Sequence, residues 1–159
     1  DNPYKMTAGD LNVAVRSVTH ACDVNHHSKD LVCLPKPLQY ECVLFDDVND
    51  DLQIHPVVYS EALSVLVHIA QGEVKYALAA VQDLAIAVEN NEGEFHDIAL
   101  NLLGYCYSLV GEEDQALHCF YLSYQERRSV TNPCLYHAII LLMNKVNDGE
   151  VVYSRAVSS

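Results

Sequence analysis

The chain has 159 residues, half of them hydrophobic, and a formal net charge of −13 at pH 7. Its length and hydrophobic content suit one domain with a buried core and exclude a chain that is disordered throughout. The acidic balance excludes a protein that binds phosphate backbones, and the lack of a long apolar run predicts no membrane span.

The cysteine pattern and the start of the chain bear on the compartment. Six cysteines are too sparse for the disulfide framework of a small secreted domain, and no secretory signal pattern is present. Cys106, Cys119 and Cys134 fall within apolar helical patterns, where buried free thiols are expected. These observations predict a reducing compartment, the cytoplasm, with the nucleus as the alternative. Because the chain starts with Asp1 rather than Met, we expect a processed product or a piece of a longer protein.

Residues 1–56 are predicted to form a less regular N-terminal segment. A start that resembles a capping box at Thr7 is followed by apolar residues at helical spacing, which predicts a helix over about 8–23. The alternation of Val13 and Val15 leaves a strand as the alternative there.

The remainder of this segment has weaker signals. Residues 24–37 contain two prolines and are predicted as a loop, whereas residues 38–45 are apolar but too short to assign. Residues 46–51 form an acidic loop. A calcium site is not expected there, because Leu52 stands where the sharp turn of such a loop needs glycine. We interpret it as a solvated loop that attracts basic protein segments.

Residues 57–146 show helical periodicity almost throughout. Phe95 is predicted on the buried side of the third helix, and Arg127 and Arg128 close the fourth, where positive charge suits the carbonyl end. Short connections predict antiparallel neighbours, as in bundles and solenoids. The breaks between five helices and a short sixth are predicted from turn and cap signals at residues 71–72, 90–93, 111, 132–133 and 149.

The chain also repeats itself. Residues 71–78 resemble residues 110–117, and Asp148-Gly149-Glu150 is a candidate third copy. The glycines at positions 72, 111 and 149 are 39 and 38 residues apart. A fixed spacing of this size indicates stacked supersecondary units.

The second copy resembles a known family. It contains Leu100-x2-Leu103-Gly104-x2-Tyr107 followed by Ala116-x3-Phe120. This pattern resembles the tetratricopeptide repeat signature, with Leu in the position often held by Trp. Small residues let the two helices of a hairpin approach closely, and aromatic residues fill the space between hairpins. The residues assigned to this repeat packing are Ala77, Leu100, Leu103, Gly104, Tyr107, Ala116 and Phe120.

The resemblance implies an all-α fold of antiparallel helical hairpins stacked as a short right-handed solenoid. It implies a repeat domain over residues 57–159, following the N-terminal segment of residues 1–56. The repeats cover about 57–91, 94–131 and 133–159. The alternative is an irregular helical bundle that matches the signature by coincidence.

Members of this family hold a peptide or a partner helix in a concave groove lined by the first helix of each hairpin. None of the groove residues carried over by position is Lys or Arg, so the basic carboxylate clamp of chaperone-binding members is not expected. A groove of this kind suits an amphipathic helix or an extended apolar segment. Its residues are Tyr59, Ala62, Leu66 and Ile69 in the first repeat, Ile98, Asn101, Tyr105 and Ser108 in the second, and Tyr136, Ile139 and Met143 in the third.

We therefore predict a protein–protein interaction module or scaffold subunit of a larger complex that binds a basic or amphipathic segment of another protein. No enzyme motif is found, and no catalytic residue, cofactor or metal ligand is assigned. No polar capping helix follows the third repeat, which indicates truncation, self-association or an obligate partner.

Two alternatives remain. One is a self-associating structural domain, a homo-oligomer or a chain whose groove is filled by its own residues 8–23. The other is a zinc-binding protein, although the ligand spacing is not a standard one. Its candidate ligands are His20, Cys22, His26, His27 and Cys33.

Overall fold

The structure is a computed structural model that describes residues 34–44, 54–91, 93 and 95–157, with side chains as far as residue 146. Over these residues the chain is all-helical, as predicted, and contains no strand. The predictions for residues 8–23 and 46–51 lie outside the described residues. The six helices are α1 (Lys36–Leu44), α2 (Pro56–Ala70), α3 (Val74–Glu89), α4 (His96–Leu109), α5 (Glu113–Glu126) and α6 (Cys134–Val157).

Helix α1 begins inside the predicted loop of residues 24–37. It then covers most of residues 38–45, which the sequence does not assign. Pro37 lies in its first turn, where a missing amide hydrogen removes no helical bond. The Gln39 side-chain amide donates to the Leu34 carbonyl at 2.7 Å and ties the preceding chain to this turn. The predicted loop over residues 24–37 is therefore wrong at residues 36 and 37.

The first hairpin joins α2 to α3 through a glycine turn. The amide of Gly72 donates to the carbonyl of Ile69 at 3.0 Å, and the amide of Glu73 donates to that of His68 at 2.9 Å. These two bonds form a Schellman motif, which satisfies the last carbonyls of a helix. Gly72 has a φ of 72°, a left-handed conformation that costs a residue with a Cβ more than it costs glycine.

The second hairpin joins α4 to α5 through the same turn. The amide of Gly111 donates to the Ser108 carbonyl at 3.3 Å, and the amide of Glu112 donates to the Tyr107 carbonyl at 3.0 Å. Gly111 has a φ of 85°. The two similar sequence segments therefore form equivalent turns, each followed by a helix that packs back on the one before it. Because the connections are so short, the two helices of each hairpin run antiparallel.

The third copy does not form such a turn. Helix α6 runs from Cys134 to Val157 without a break at Gly149, so the predicted short sixth helix is wrong. A single glycine inside a helix costs only about 1 kcal/mol relative to alanine, which leaves a helix free to continue through it. In the described part of the chain, the third copy thus contributes one long helix.

Helix α4 is the centre of the packed unit. It contacts each of the other five helices. Ten of its fourteen residues are buried, including both apolar and polar ones, as expected of a helix that is covered on nearly every side. The seven residues assigned to repeat packing are all buried: Ala77, Leu100, Leu103, Gly104, Tyr107, Ala116 and Phe120.

Helix α4 begins at His96 and not at Phe95. Phe95 adopts a left-handed backbone conformation, with a φ of 66°, immediately before the first turn. A left-handed residue cannot continue a right-handed helix towards the N-terminus, so the prediction that placed Phe95 inside the helix is wrong.

In the part of the chain that the structure describes, no helix is long and apolar enough to cross a membrane.

Candidate helix-binding groove

Helix α1 lies across α4 and reaches α6. It packs on α4, and the Tyr40 ring lies 4.8 Å from the Tyr136 ring and 5.3 Å from the His137 ring, centroid to centroid. Pro37, Leu38 and Glu41 are its buried side chains, and Leu38 and Glu41 are 2% and 1% exposed. We call the surface of α4 and α6 that α1 covers the α1 groove.

A buried carboxylate fastens α1 to this groove. The Asn101 side-chain amide donates to Glu41 Oε1 at 2.7 Å, and the Arg127 guanidinium donates to Glu41 Oε2 at 2.6 Å. The Nε–H of Arg127 also donates to the carboxylate of Asp97 on α4 at 2.5 Å. Each oxygen of Glu41 therefore has a donor, and one guanidinium links a carboxylate of α1 to one of α4. We call Asn101 and Arg127 the Glu41 clamp.

Burial and hydrogen bonding oppose each other in the clamp. Loss of solvent raises the pKa of Glu41 above its ordinary value, against the lowering effect of the bonds from Asn101 and Arg127. Burial also works to lower the pKa of Arg127, but the charges of Glu41 and Asp97 outweigh it and raise that pKa. Arg127 is thus cationic, and it is the partner that a charged Glu41 needs in this buried position.

Asn132 positions both members of the clamp. Its Oδ1 accepts from the Asn101 side chain at 2.9 Å and from the Cys134 amide at 3.0 Å, while its Nδ2 donates to the Arg127 carbonyl at 3.1 Å. A second bond from Nδ2 reaches the carbonyl of Ser123 at 3.2 Å. The cap predicted for Asn132 is confirmed, and the same side chain holds the end of α5 against α4.

Sequence reasoning missed the cation of the groove. The groove residues predicted from the sequence come from the first helix of each repeat only, and the position of Arg127 predicts only that it closes α5. In the structure Arg127 follows α5 and turns its side chain back to α1 and α4. The α1 groove therefore contains a cation that the residues carried over by position do not include. The signal for it was Glu41, a lone acid in the apolar run 38–45.

His137 closes the groove between Tyr40 and Phe120. Its ring is stacked on Phe120 with a centroid distance of 5.4 Å, and the residue is buried. Burial lowers its pKa to about 4, so the ring is neutral at pH 7 and adds no positive charge to the groove. Its Nε2 has no hydrogen-bond partner among the described residues.

The predicted groove residues fall into three groups. Among them, Asn101 and Tyr136 contact α1 directly. The four residues predicted from the first repeat lie on α2. The buried group is Ala62, Ile98 and Asn101, the half-buried group is Tyr59, Leu66, Ile69, Tyr105 and Ser108, and the exposed group is Tyr136, Ile139 and Met143.

The thiols of the described region are free, and three of them are buried. Burial raises the pKa of Cys106 and of Cys119 to about 12, and that of Cys134 to about 11. These groups are therefore thiols and not nucleophilic thiolates at neutral pH.

No group of three or more metal-binding side chains is assembled within the described ranges. The five zinc ligands proposed from the sequence lie outside these ranges. Scans of protein-family models, of curated proteins and of solved structures found no match to this chain.

Proposed function

We propose that this chain is a protein–protein interaction module of tetratricopeptide-like hairpins whose α1 groove recognises a short helix by a buried carboxylate. One observation carries the proposal: the carboxylate of Glu41 is 0% exposed and is held by Asn101 and Arg127, which belong to other elements. In this chain the occupant of the groove is its own α1.

The length of α1 supports this interpretation. A helix of nine residues is unstable in water on its own, because nucleation costs more than so few hydrogen bonds return. Its conformation therefore depends on the groove. Leu38 and Glu41 are three positions apart and lie on one face, the arrangement by which a helical ligand anchors itself in a groove.

The chemistry of the anchor favours recognition over simple packing. A buried ion pair adds little to stability compared with well-packed apolar residues, whereas it discriminates strongly against a ligand that lacks the charge. The contacts that hold α1 come from α4, from α6 and from Arg127. A partner helix with an apolar residue and a glutamate three positions apart presents the same groups and competes with α1. Basic residues at its ends suit the net negative charge of the whole chain.

Exchange of α1 is the test. Residues 46–51 are replaced by a site for a sequence-specific protease, the intact chain is folded and cut, and a fluorescent peptide of residues 34–44 is added. We expect the anisotropy of the peptide to rise as it replaces the severed α1. The same peptide with Glu41→Gln is the matched control. It is expected to bind at least about tenfold more weakly, because a hydrogen bond to a charged group contributes about 1.5–3 kcal/mol.

Two results contradict the proposal. Equal binding of the two peptides shows that the carboxylate is not what the groove recognises. A severed α1 that never exchanges shows that α1 is a permanent part of the core, which leaves a structural domain as the better description.

A further inference from the structure

Within the part of the chain that the structure describes, nothing covers one apolar face of helix α6. While Cys134 and His137 are buried against the rest of the molecule, large apolar side chains on the opposite side are between 36% and 60% exposed. Four of them define what we call the α6 seam: Leu135, Ile139, Leu142 and Val146. Two more flank it: Ile140 and Met143.

The spacing of the seam suits another helix. Its residues are separated by four, three and four positions, so that the pattern recurs after seven residues, as it does where two helices pair side by side. An extended peptide or a small molecule does not require such an interval. The seam therefore indicates a helical partner that runs along α6.

The charge distribution indicates that this partner is a second copy. Residues 127–147 form the longest stretch of the chain without an acidic residue. Lys145 is the only side chain charged at neutral pH among residues 134–146, and it is paired with Glu113 on α5 at 3.0 Å. Two chains of net charge −13 repel each other least where such an uncharged strip meets its own copy.

The exposure is concentrated on this one helix. Leu135, Ile139, Ile140, Leu142, Met143 and Val146 are each at least 36% exposed. Monomers seldom leave a large contiguous apolar patch open to water. We propose that two copies of this chain pair through their α6 seams, with the same face used on both copies.

Sedimentation velocity of the full chain over a hundredfold range of concentration tests this dimer. We expect the wild-type chain to shift from monomer to dimer as its concentration rises. Ile139→Glu is expected to raise the dissociation constant at least 100-fold, because it places a carboxylate in the seam. Ile86→Glu on α3 is the matched control, since Ile86 is 55% exposed and Ile139 is 56% exposed, and it is expected to leave association unchanged.

Circular dichroism of each variant establishes that it is folded, and Leu142→Glu replaces Ile139→Glu if the latter is not. A wild-type chain that stays monomeric at the highest concentration overturns the proposal, and the seam then faces a different protein. Association that survives the seam variants, or that Ile86→Glu weakens equally, overturns it as well.

Discussion

Arg127 and Glu41, 86 positions apart in the chain, are joined by a hydrogen-bonded ion pair of 2.6 Å that closes the α1 groove. The same guanidinium also holds Asp97. Two carboxylates thus share one cation, so removal of that cation leaves both without compensation. Removal of Glu41 still leaves Arg127 paired with Asp97.

This asymmetry gives the first prediction. Arg127→Ala is expected to lower the free energy of unfolding by about 3 kcal/mol at pH 7, because it strands a buried carboxylate. Glu41→Gln is expected to cost about half of that, since the amide still accepts from Asn101. Urea unfolding followed by circular dichroism measures both. If Glu41→Gln is as damaging as Arg127→Ala, the shared-cation description of the clamp is incorrect.

A second prediction concerns the contact between α4 and α5. A Cβ added to Gly104 would lie 2.6 Å from a ring carbon of Phe120, well inside van der Waals contact. Gly104→Ala is expected to destabilise the chain by about 1–2 kcal/mol, as overpacking outweighs the better helix propensity of alanine. Gly93→Ala is the control, because nothing lies within 4 Å of its added Cβ.

Relief of the clash supplies the complementary measurement. In a Phe120→Leu background the ring is absent, so Gly104→Ala is expected to cost at least about 1 kcal/mol less than it does in the wild-type chain. A cost that is unchanged by Phe120→Leu would mean that the glycine is needed for a reason other than the ring.

Local signals in the sequence predicted much of the fold. The turns at Gly72 and Gly111 and the cap at Asn132 depend on residues within about five positions of one another. Motifs of this kind can be predicted from the types of neighbouring residues. The repeat packing around Gly104 was predictable for a related reason. A small residue that faces an aromatic ring indicates close packing of two helices.

Distant pairing limited the prediction of the site. Nothing local connects Glu41 with Arg127, and α1 is too short for its periodicity to distinguish helix from strand. Gly149 shows that a local signal can also mislead. The glycine at this position predicts a turn like that at Gly72, but it lies inside a continuous helix. A glycine permits a turn, but packing of the following chain decides whether the turn forms. Whether the described helices belong to a tetratricopeptide-like solenoid stays a prediction.

The buried thiols provide a third prediction. Because the pKa of Cys106 in the folded chain is raised to about 12, the folded state keeps its proton when the unfolded state loses it above an ordinary value near 9. Stability is therefore full below pH 9 and falls as the pH rises towards 12. When the pH rises from 8 to 10, the free energy of unfolding of Cys106→Ala is expected to fall by about 1 kcal/mol less than that of the wild-type chain. Urea unfolding at both pH values measures this difference. Parallel losses in the two proteins would contradict this assignment.

His137 gives the last prediction. In contrast to the thiols, it makes the chain less stable as the pH falls. Its pKa is lowered from 6.5 to about 4 in the folded chain, so the unfolded chain takes up a proton first as the pH falls. The contribution of His137 to stability is present above pH 6.5 and is lost towards pH 4. At pH 5 the loss relative to pH 7 is about 2 kcal/mol.

Glu41 responds in the other direction over this range, because its raised pKa makes the folded chain the better proton acceptor. The measurement is therefore a difference between variants. His137→Phe preserves a ring beside Phe120 and removes the proton site, so it is expected to lose about 2 kcal/mol less than wild type between pH 7 and pH 5 in urea unfolding. If wild type and His137→Phe lose the same free energy, the ring of His137 is protonated in the folded chain and its burial in the groove is only partial.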